Sequence, residues 1–222
     1  MLYLVTPHND DVRTVISEGQ LGVFITPKSG CRQIAGHPWG GDNGAFTGFD
    51  EGTFLRMLKG AHAHASTCLF VAVPDVVADW PATLGMYAEW NPIVAGYGYP
   101  RAIVIQDGAT PAAIPWDDAE AVFIGGSTEW KLSDAAANVV RAAKECGKHV
   151  HMGRVNSCRR LMYANSIGCD TADGTFLKYG PDKNLPRLLS WLRKIDDGPQ
   201  LNLFAKADAW ESLLYEDTRR VG

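Results

Sequence analysis

Carboxylates recur in this sequence at one kind of place, directly after short apolar runs. Asp42 follows the glycines at 40–41, and Asp75 follows Leu-Phe-Val-Ala-Val at 69–73 and Pro74. Asp170 and Asp173 close a late Gly-Cys-Asp-Thr-Ala-Asp segment. Other runs end in Gln106-Asp107-Gly108, in Gly125-Gly126-Ser127 and in Met152-Gly153-Arg154. A lone Asp in such a position is ordinarily a turn or cap residue. Three strand ends so furnished, with a Gln and two glycine turns, read better as one acidic site. Carboxylates converging on one rim are what glycosyl transfer requires, one as nucleophile and another as acid/base. They equally suit a purine edge that presents N–H donors, because an ionised Asp only accepts hydrogen bonds.

Such convergence demands elements that bring distant segments to a common rim. The apolar runs predict strands at Leu2–Thr6, Gly22–Thr26, Gly40–Asn43, Leu69–Pro74, Ala102–Gln106, Ala121–Ile124, His149–Met152 and Gly168–Asp170. Several are continuous apolar stretches (LFVAV, AIVI, AVFI), the pattern of a sheet covered on both faces. Helices are expected over Asp50–Ala65, Trp80–Ala95, Ser133–Cys146, Arg159–Ser166 and Leu185–Arg193, with Asp50 as an N-cap and glycines closing the third and fourth. Strands alternating with helices imply a parallel sheet, and eight of them point to a closed α/β barrel of the (β/α)8 TIM type. The first strand is not followed by the GxGxxG turn of a dinucleotide-binding open sheet. In a barrel of this kind, function gathers at the C-terminal ends of the strands.

The 222 residues suit one compact barrel over 1–195, and residues 196–222 leave the strand–helix rhythm as a tail that packs on the barrel or serves association. Leu201, Leu203, Phe204, Leu213 and Leu214 in that tail fit either homo-oligomer contacts or packing across the barrel's lower end. Hydrophobic residues at 46% supply a core and exclude global disorder. A formal net charge of -4 excludes nucleic-acid binding by bulk positive charge, though not by a local basic patch. No apolar run approaches the roughly 20 residues of a membrane span, and the N-terminus turns polar too early for a secretory leader. Five irregularly spaced cysteines fit a reducing cytoplasm better than a disulfide scaffold.

The ordered set of strand-end motifs resembles the tRNA-guanine transglycosylase superfamily, whose members are barrels that exchange a guanine base for a 7-deazaguanine. The family's Asp-Ser-Gly-Gly-Phe segment is similar to Asp42-Asn43-Gly44-Ala45-Phe46. Its later Asp, Val-Gln-Gly-Gly, Gly-Gly, Met-Gly and Gly-x-Asp-x-x-Asp elements resemble, in order, Asp75, Ile105-Gln106-Asp107-Gly108, Gly125-Gly126, Met152-Gly153 and Gly168–Asp173. The likeness covers residues 40–175 in six short pieces. The family's zinc subdomain has no counterpart, since no Cys or His follows Asp173, and the arginine-bearing loop reads Gly174-Thr175-Phe176-Leu177-Lys178. The chain is closest in style to the compact, phage-type DNA 7-deazaguanine transglycosylases (DpdA-like proteins).

The resemblance implies Asp173 as nucleophile on C1′ of the target deoxyguanosine and Asp42 as the acid/base that serves both half-reactions. It implies a base pocket of Asp75, Gln106, Gly125, Gly126, Phe46 and Met152, supported by Asn43, Gly44 and Asp170. Such chemistry needs neither metal nor cofactor. The implied partners are DNA, single-stranded or locally opened, and a 7-deazaguanine base such as 7-cyano-7-deazaguanine. A stacked base must leave its helix to react, at a cost of a few kcal/mol. Arg154, Arg159, Arg160 and Lys178 are the candidates for the phosphate backbone. The alternatives are a tRNA or nucleoside acceptor, or a non-catalytic deazapurine-binding subunit.

His149 and His151 stand two apart on one strand and hence on one face, with Cys158 nearby. Their types would suit zinc, but no fourth ligand is identifiable, and core packing is the preferred reading.

Overall fold

A computed structural model describes residues 1–30 and 35–197 of the chain. Eight strands, β1 (Leu2–Val5), β2 (Gly22–Ile25), β3 (Trp39–Gly41), β4 (Cys68–Ala72), β5 (Arg101–Ile105), β6 (Ala121–Ile124), β7 (His149–Met152) and β8 (Thr171–Asp173), pair in parallel in chain order. β8 returns to pair with β1, Leu4 lying opposite Asp173, so the sheet closes. The fold is a (β/α)8 barrel. Seven helices are described around it: α1 (Asp10–Ser17), α2 (Glu51–Ala61), α3 (Trp80–Gly96), α4 (Thr128–Lys131), α5 (Asp134–Glu145), α6 (Cys158–Ser166) and α7 (Pro181–Asp197). Between β5 and β6, two single 3-10 turns, Pro111–Ala113 and Trp116–Asp118, stand where a helix would be.

Short polar side chains start the helices. Asn9, Asp50, Asp79, Ser127, Ser133 and Ser157 each accept a hydrogen bond from a backbone N–H in the first turn of α1 to α6, satisfying donors that a helix leaves unpaired. Neither α1 nor α4 is among the helices expected from the sequence. α1 is short and buries only Val12 and Ile16, one helical turn apart, and α4 is a single turn.

The strands sort their side chains into two layers by their period of two. One set (Val23, Val71, Ile103, Ile105, Val122, Ile124, Val150, Met152) joins the large core between sheet and helices. The other (Leu4, Phe24, Phe70, Ala102, Ala121, with Phe123 against them) fills the barrel's interior. Large and absent side chains alternate there: a Cβ on Gly40 would stand 2.7 Å from the Phe70 ring, so β3 can approach only as glycine.

Six strands differ in extent from expectation, four of them (β1, β2, β4 and β5) by only one or two residues at an end, and the other two bear on the site. β3 ends at Gly41, leaving Asp42 and Asn43 in the following loop. β8 starts three residues late, because Gly168 at φ 100° ends α6 and the Cys169 N–H turns back to the Ala164 carbonyl. The helix expected at Leu185–Arg193 is the interior of α7. Of the tail expected over 196–222, Asp196 and Asp197 continue α7, and the rest, with its apolar residues, lies outside the described residues.

Candidate active site

Parity alone turns a set of polar positions toward the barrel axis. Asp42 lies two beyond inward Gly40, Gln106 continues Ala102 and Val104, Gly125 follows Phe123, Gly153 follows His151, and Asp173 follows Thr171. All stand at the C-terminal ends of their strands, so the axis opens there into a polar mouth.

Two linked clusters furnish it. In the first, Asp75 is 8% exposed and accepts from the Asn43 amide (2.7 Å, Oδ1) and the Gln106 amide (2.6 Å, Oδ2). Asn43 also donates to the Val73 carbonyl, while its own Oδ1 accepts from the Ala45 N–H. The Gln106 carbonyl accepts from the Ala78 N–H at 3.0 Å. Each amide is therefore locked in one orientation, with its donor side on Asp75. Gly44, at φ 82°, makes the turn that lifts Phe46 to the surface, where its ring is 65% exposed.

The second cluster surrounds Asp173. Its Oδ1 accepts from the Arg154 backbone N–H (3.2 Å) and lies 3.1 Å from His151 Nε2. The Arg154 guanidinium donates to the Gly126 carbonyl and sits 4.7 Å from the centroid of the Phe46 ring. This arginine thus joins the loops after β3, β6, β7 and β8. Lys131, only 4% exposed, donates to the Gly153 carbonyl at 2.7 Å beneath it.

Titration behaviour separates these groups. Burial first, then the charges of Asp173 and Asp75, raise the Asp42 carboxyl to about 7, against the opposing N–H groups of Gly44 and Asn43. Asn43, next to Asp42, binds Asp75, and Arg154, whose N–H binds Asp173, lies against Phe46 of the loop that carries Asp42, so contacts link the three carboxylates along one rim. Burial also raises Asp75, though the Asn43 and Gln106 amides and Arg154 oppose it. Lys131 is lowered to about 8 by burial and then by Arg154. Burial holds His151 below the ordinary histidine range, hence neutral.

Several residues anticipated from the sequence take other places. Asp170 precedes β8 at the opposite end of the barrel, where Lys144 Nζ bridges both its carboxylate oxygens (2.7 and 2.8 Å) and the Val150 N–H donates to it. It does not support the mouth. Met152 is buried in the outer layer between sheet and helices and covers no ring face, because its neighbour His151 takes the inward position. Gly125 and Gly126 admit protein groups: a Cβ on Gly125 would stand 3.0 Å from Gln106 Nε2, and one on Gly126 2.4 Å from Asp107 Oδ1. Arg159 is exposed on α6, Arg160 is half-buried beside Lys131, and exposed Lys178 lies 5.8 Å from the centroid of the Tyr179 ring. Among the described residues no group of three or more His, Cys, Asp or Glu could hold a metal ion. His149 and His151 both face the Thr171 hydroxyl.

Sequence reasoning missed Thr171 and Lys131. The first was hidden by the misplaced eighth strand, the second by the unrecognised single turn of α4. Ala78 was equally unmarked.

No protein-family model matches this chain, and no curated protein matches it. Solved structures do. A mandelate oxidase variant superposes with a TM-score of 0.56 at 15% identity, covering 86% of this chain and 71% of that one. Phosphoribosyl anthranilate isomerase from Thermus thermophilus gives 0.52 at 14% identity, covering 88% and 100%. A dihydrodipicolinate synthase from Bacillus clausii gives 0.47 at 17% identity, and this chain spans 62% of its length. What the first two share with this chain is the barrel. These proteins are TIM-barrel enzymes of differing names, and at such identities the likeness concerns fold alone. No described helix is long and apolar enough to cross a membrane.

Proposed function

We propose that this chain is a guanine transglycosylase that exchanges guanine in DNA for a 7-deazaguanine base. One observation carries the reading: Asp42, Asp75 and Asp173 stand at or just beyond the C-terminal ends of β3, β4 and β8 on one barrel rim, with Asp75 bonded to Asn43 beside Asp42 and Asp173 bonded to the N–H of Arg154, whose guanidinium meets Phe46 of the Asp42 loop. In the first half-reaction a carboxylate oxygen of Asp173 attacks C1′ as the C1′–N9 bond breaks. The electron pair goes to the purine, and Asp42, which holds its proton up to about pH 7, protonates the departing base. In the second, Asp42 takes the N9 proton of the incoming deazapurine, whose nitrogen attacks C1′ and releases Asp173. Configuration at C1′ is retained.

The Asp75–Gln106–Asn43 cluster supports base recognition. Each Asp75 oxygen keeps a lone pair beyond the one its amide occupies, and guanine offers N–H donors. The exposed Phe46 ring, backed by Arg154, suits stacking against a flipped base. Arg154, Arg160 and Lys178 lie around the same face and suit phosphates, with Arg159 farther along α6.

The test is incubation of the full chain with labelled 7-cyano-7-deazaguanine and single-stranded DNA, duplex DNA or tRNA. Incorporation into DNA is expected, with a trapped DNA adduct. Asp173→Ala should abolish both, and Asp42→Asn should slow exchange about 100-fold or more, the usual worth of general acid–base catalysis. Wild-type incorporation or an undiminished adduct in Asp173→Ala would refute the nucleophile. Incorporation into tRNA alone would reassign the acceptor.

A further inference from the structure

A line of polar groups enters the barrel's aromatic interior and ends on Asp173. His149 Nε2 is 2.9 Å from the Thr171 hydroxyl, and that hydroxyl is 2.9 Å from His151 Nδ1. His151 Nε2 in turn is 3.1 Å from Asp173 Oδ1. The His151 ring is wholly buried, stacked on Phe24 (centroids 5.5 Å, 15° between planes) and wedged between Phe70 at 4.7 Å and Phe123 at 4.5 Å. Buried polar groups take hydrogen-bond partners, and the two nitrogens of this ring face Thr171 and Asp173. One assignment satisfies the whole line: His149 Nε2–H donates to Thr171, the threonine hydroxyl donates to His151 Nδ1, and His151 Nε2–H donates to Asp173.

From this geometry we infer that His151, held in its tautomer by Thr171, is a positioning residue that selects which oxygen of Asp173 attacks. The inference rests on the transglycosylase reading for the word "attacks" and on the contacts alone for the rest. His151 and the Arg154 N–H both occupy Oδ1, and among the described residues no hydrogen bond is made to Oδ2. Oδ2 is therefore the oxygen presented to C1′, while Oδ1 stays behind as the carbonyl of the ester. Arg154 stands at φ 61°, a left-handed backbone that strains a non-glycine residue. The one other non-glycine residue so placed among the described residues is Ala78, whose N–H holds Gln106. Both strained residues aim an N–H at a mouth side chain. Asp173 is thus held from two directions, by a ring inside the barrel and a strained amide on its rim.

Two measurements test this. Histidine 15N NMR on the free protein should find His151 neutral with its proton on Nε2, and that signal should move in Asp173→Ala. A proton on Nδ1, or a signal indifferent to Asp173→Ala, would overturn the inference whatever the protein's activity. The second reads the rate of adduct formation on single-stranded DNA in a single turnover. His151→Phe keeps an aromatic ring in the aromatic box and should slow the adduct about 10- to 100-fold, the worth of a hydrogen bond to a charged acceptor, with KM for the deazaguanine unchanged. Thr171→Val, which leaves the ring in place should His151→Phe not fold, should lose less, and Thr171→Ser should restore the rate. Wild-type adduct rates in His151→Phe or Thr171→Val, or a KM rising in step with the lost rate, would contradict it. Failure of the wild-type protein to form any adduct would instead remove the transglycosylase reading, with His151 then judged by the NMR result.

Discussion

Asp42 carries the most informative titration in the molecule. Its carboxyl is raised from the ordinary carboxylate range to about 7, so between roughly pH 4 and pH 7 the folded protein holds a proton that the unfolded chain has released. The sign follows: this group costs the fold stability as pH rises through that window, and the cost is complete above 7. Asp42→Asn should therefore leave stability nearly unchanged at pH 4 and raise it at pH 8, by at most about 4 kcal/mol for a shift of three units. Urea denaturation at the two pH values measures it, and equal stabilities at pH 8 would mean that Asp42 ionises normally. The same carboxyl as general acid predicts that adduct formation by the wild type falls above about pH 7. That Asp42 and Asp173 stand at strand ends was legible in the sequence. The raised titration was not, since it comes from burial and from neighbours up to 131 positions away along the chain (173 − 42).

The loops that close the mouth depend on small residues at the ends of strands. Gly125, directly after β6, leaves room for Gln106, the last inward position of the neighbouring strand's line. A Cβ there would meet Val104 Cγ1 at 2.9 Å, Gln106 Nε2 at 3.0 Å and the Ile105 carbonyl at 3.0 Å. Two of these are the side chain or backbone of a packed strand and cannot retreat, so Gly125→Ala should push Gln106 off Asp75. The expected result is a fold that survives with about 1–3 kcal/mol less stability and a base KM raised at least tenfold. An unchanged KM would show that Gln106 does not hold the base. Most strands and helices were readable from apolar runs, from the Asp50 cap and from closing glycines. Two errors at this level had separate origins. Placing β8 at Gly168–Asp170 made Asp170 look like part of the rim, and naming Met152 beside His151 ignored that consecutive strand residues face opposite ways. Strand ends are set by pairing with neighbours, here by Leu4 against Asp173, which no local pattern encodes.

Across the whole molecule, a net charge of -4 means that any nucleic acid must be held by a local patch. The cations near the mouth are few, principally Arg154, Arg160 and Lys178, with Arg159 beyond them. Single-stranded DNA binding should therefore show a shallow salt dependence, with a log–log slope of about -2 to -3 at roughly 0.7 per phosphate, and Arg160→Ala with Lys178→Ala should reduce it by about 1.4. Titration at several salt concentrations gives the slope, and an unaltered one in the double variant would place the phosphates elsewhere. The order of apolar runs, the covered faces of the sheet and the set of acids at strand ends were all properties of the linear sequence, because period and composition are local. Closure of β1 on β8, the neutral His151 behind Asp173, the strained Ala78 and Arg154 and the shared mouth were decided only in three dimensions. Each depends on contacts between residues far apart in the chain, and desolvation and charge coupling exist only once those contacts are made.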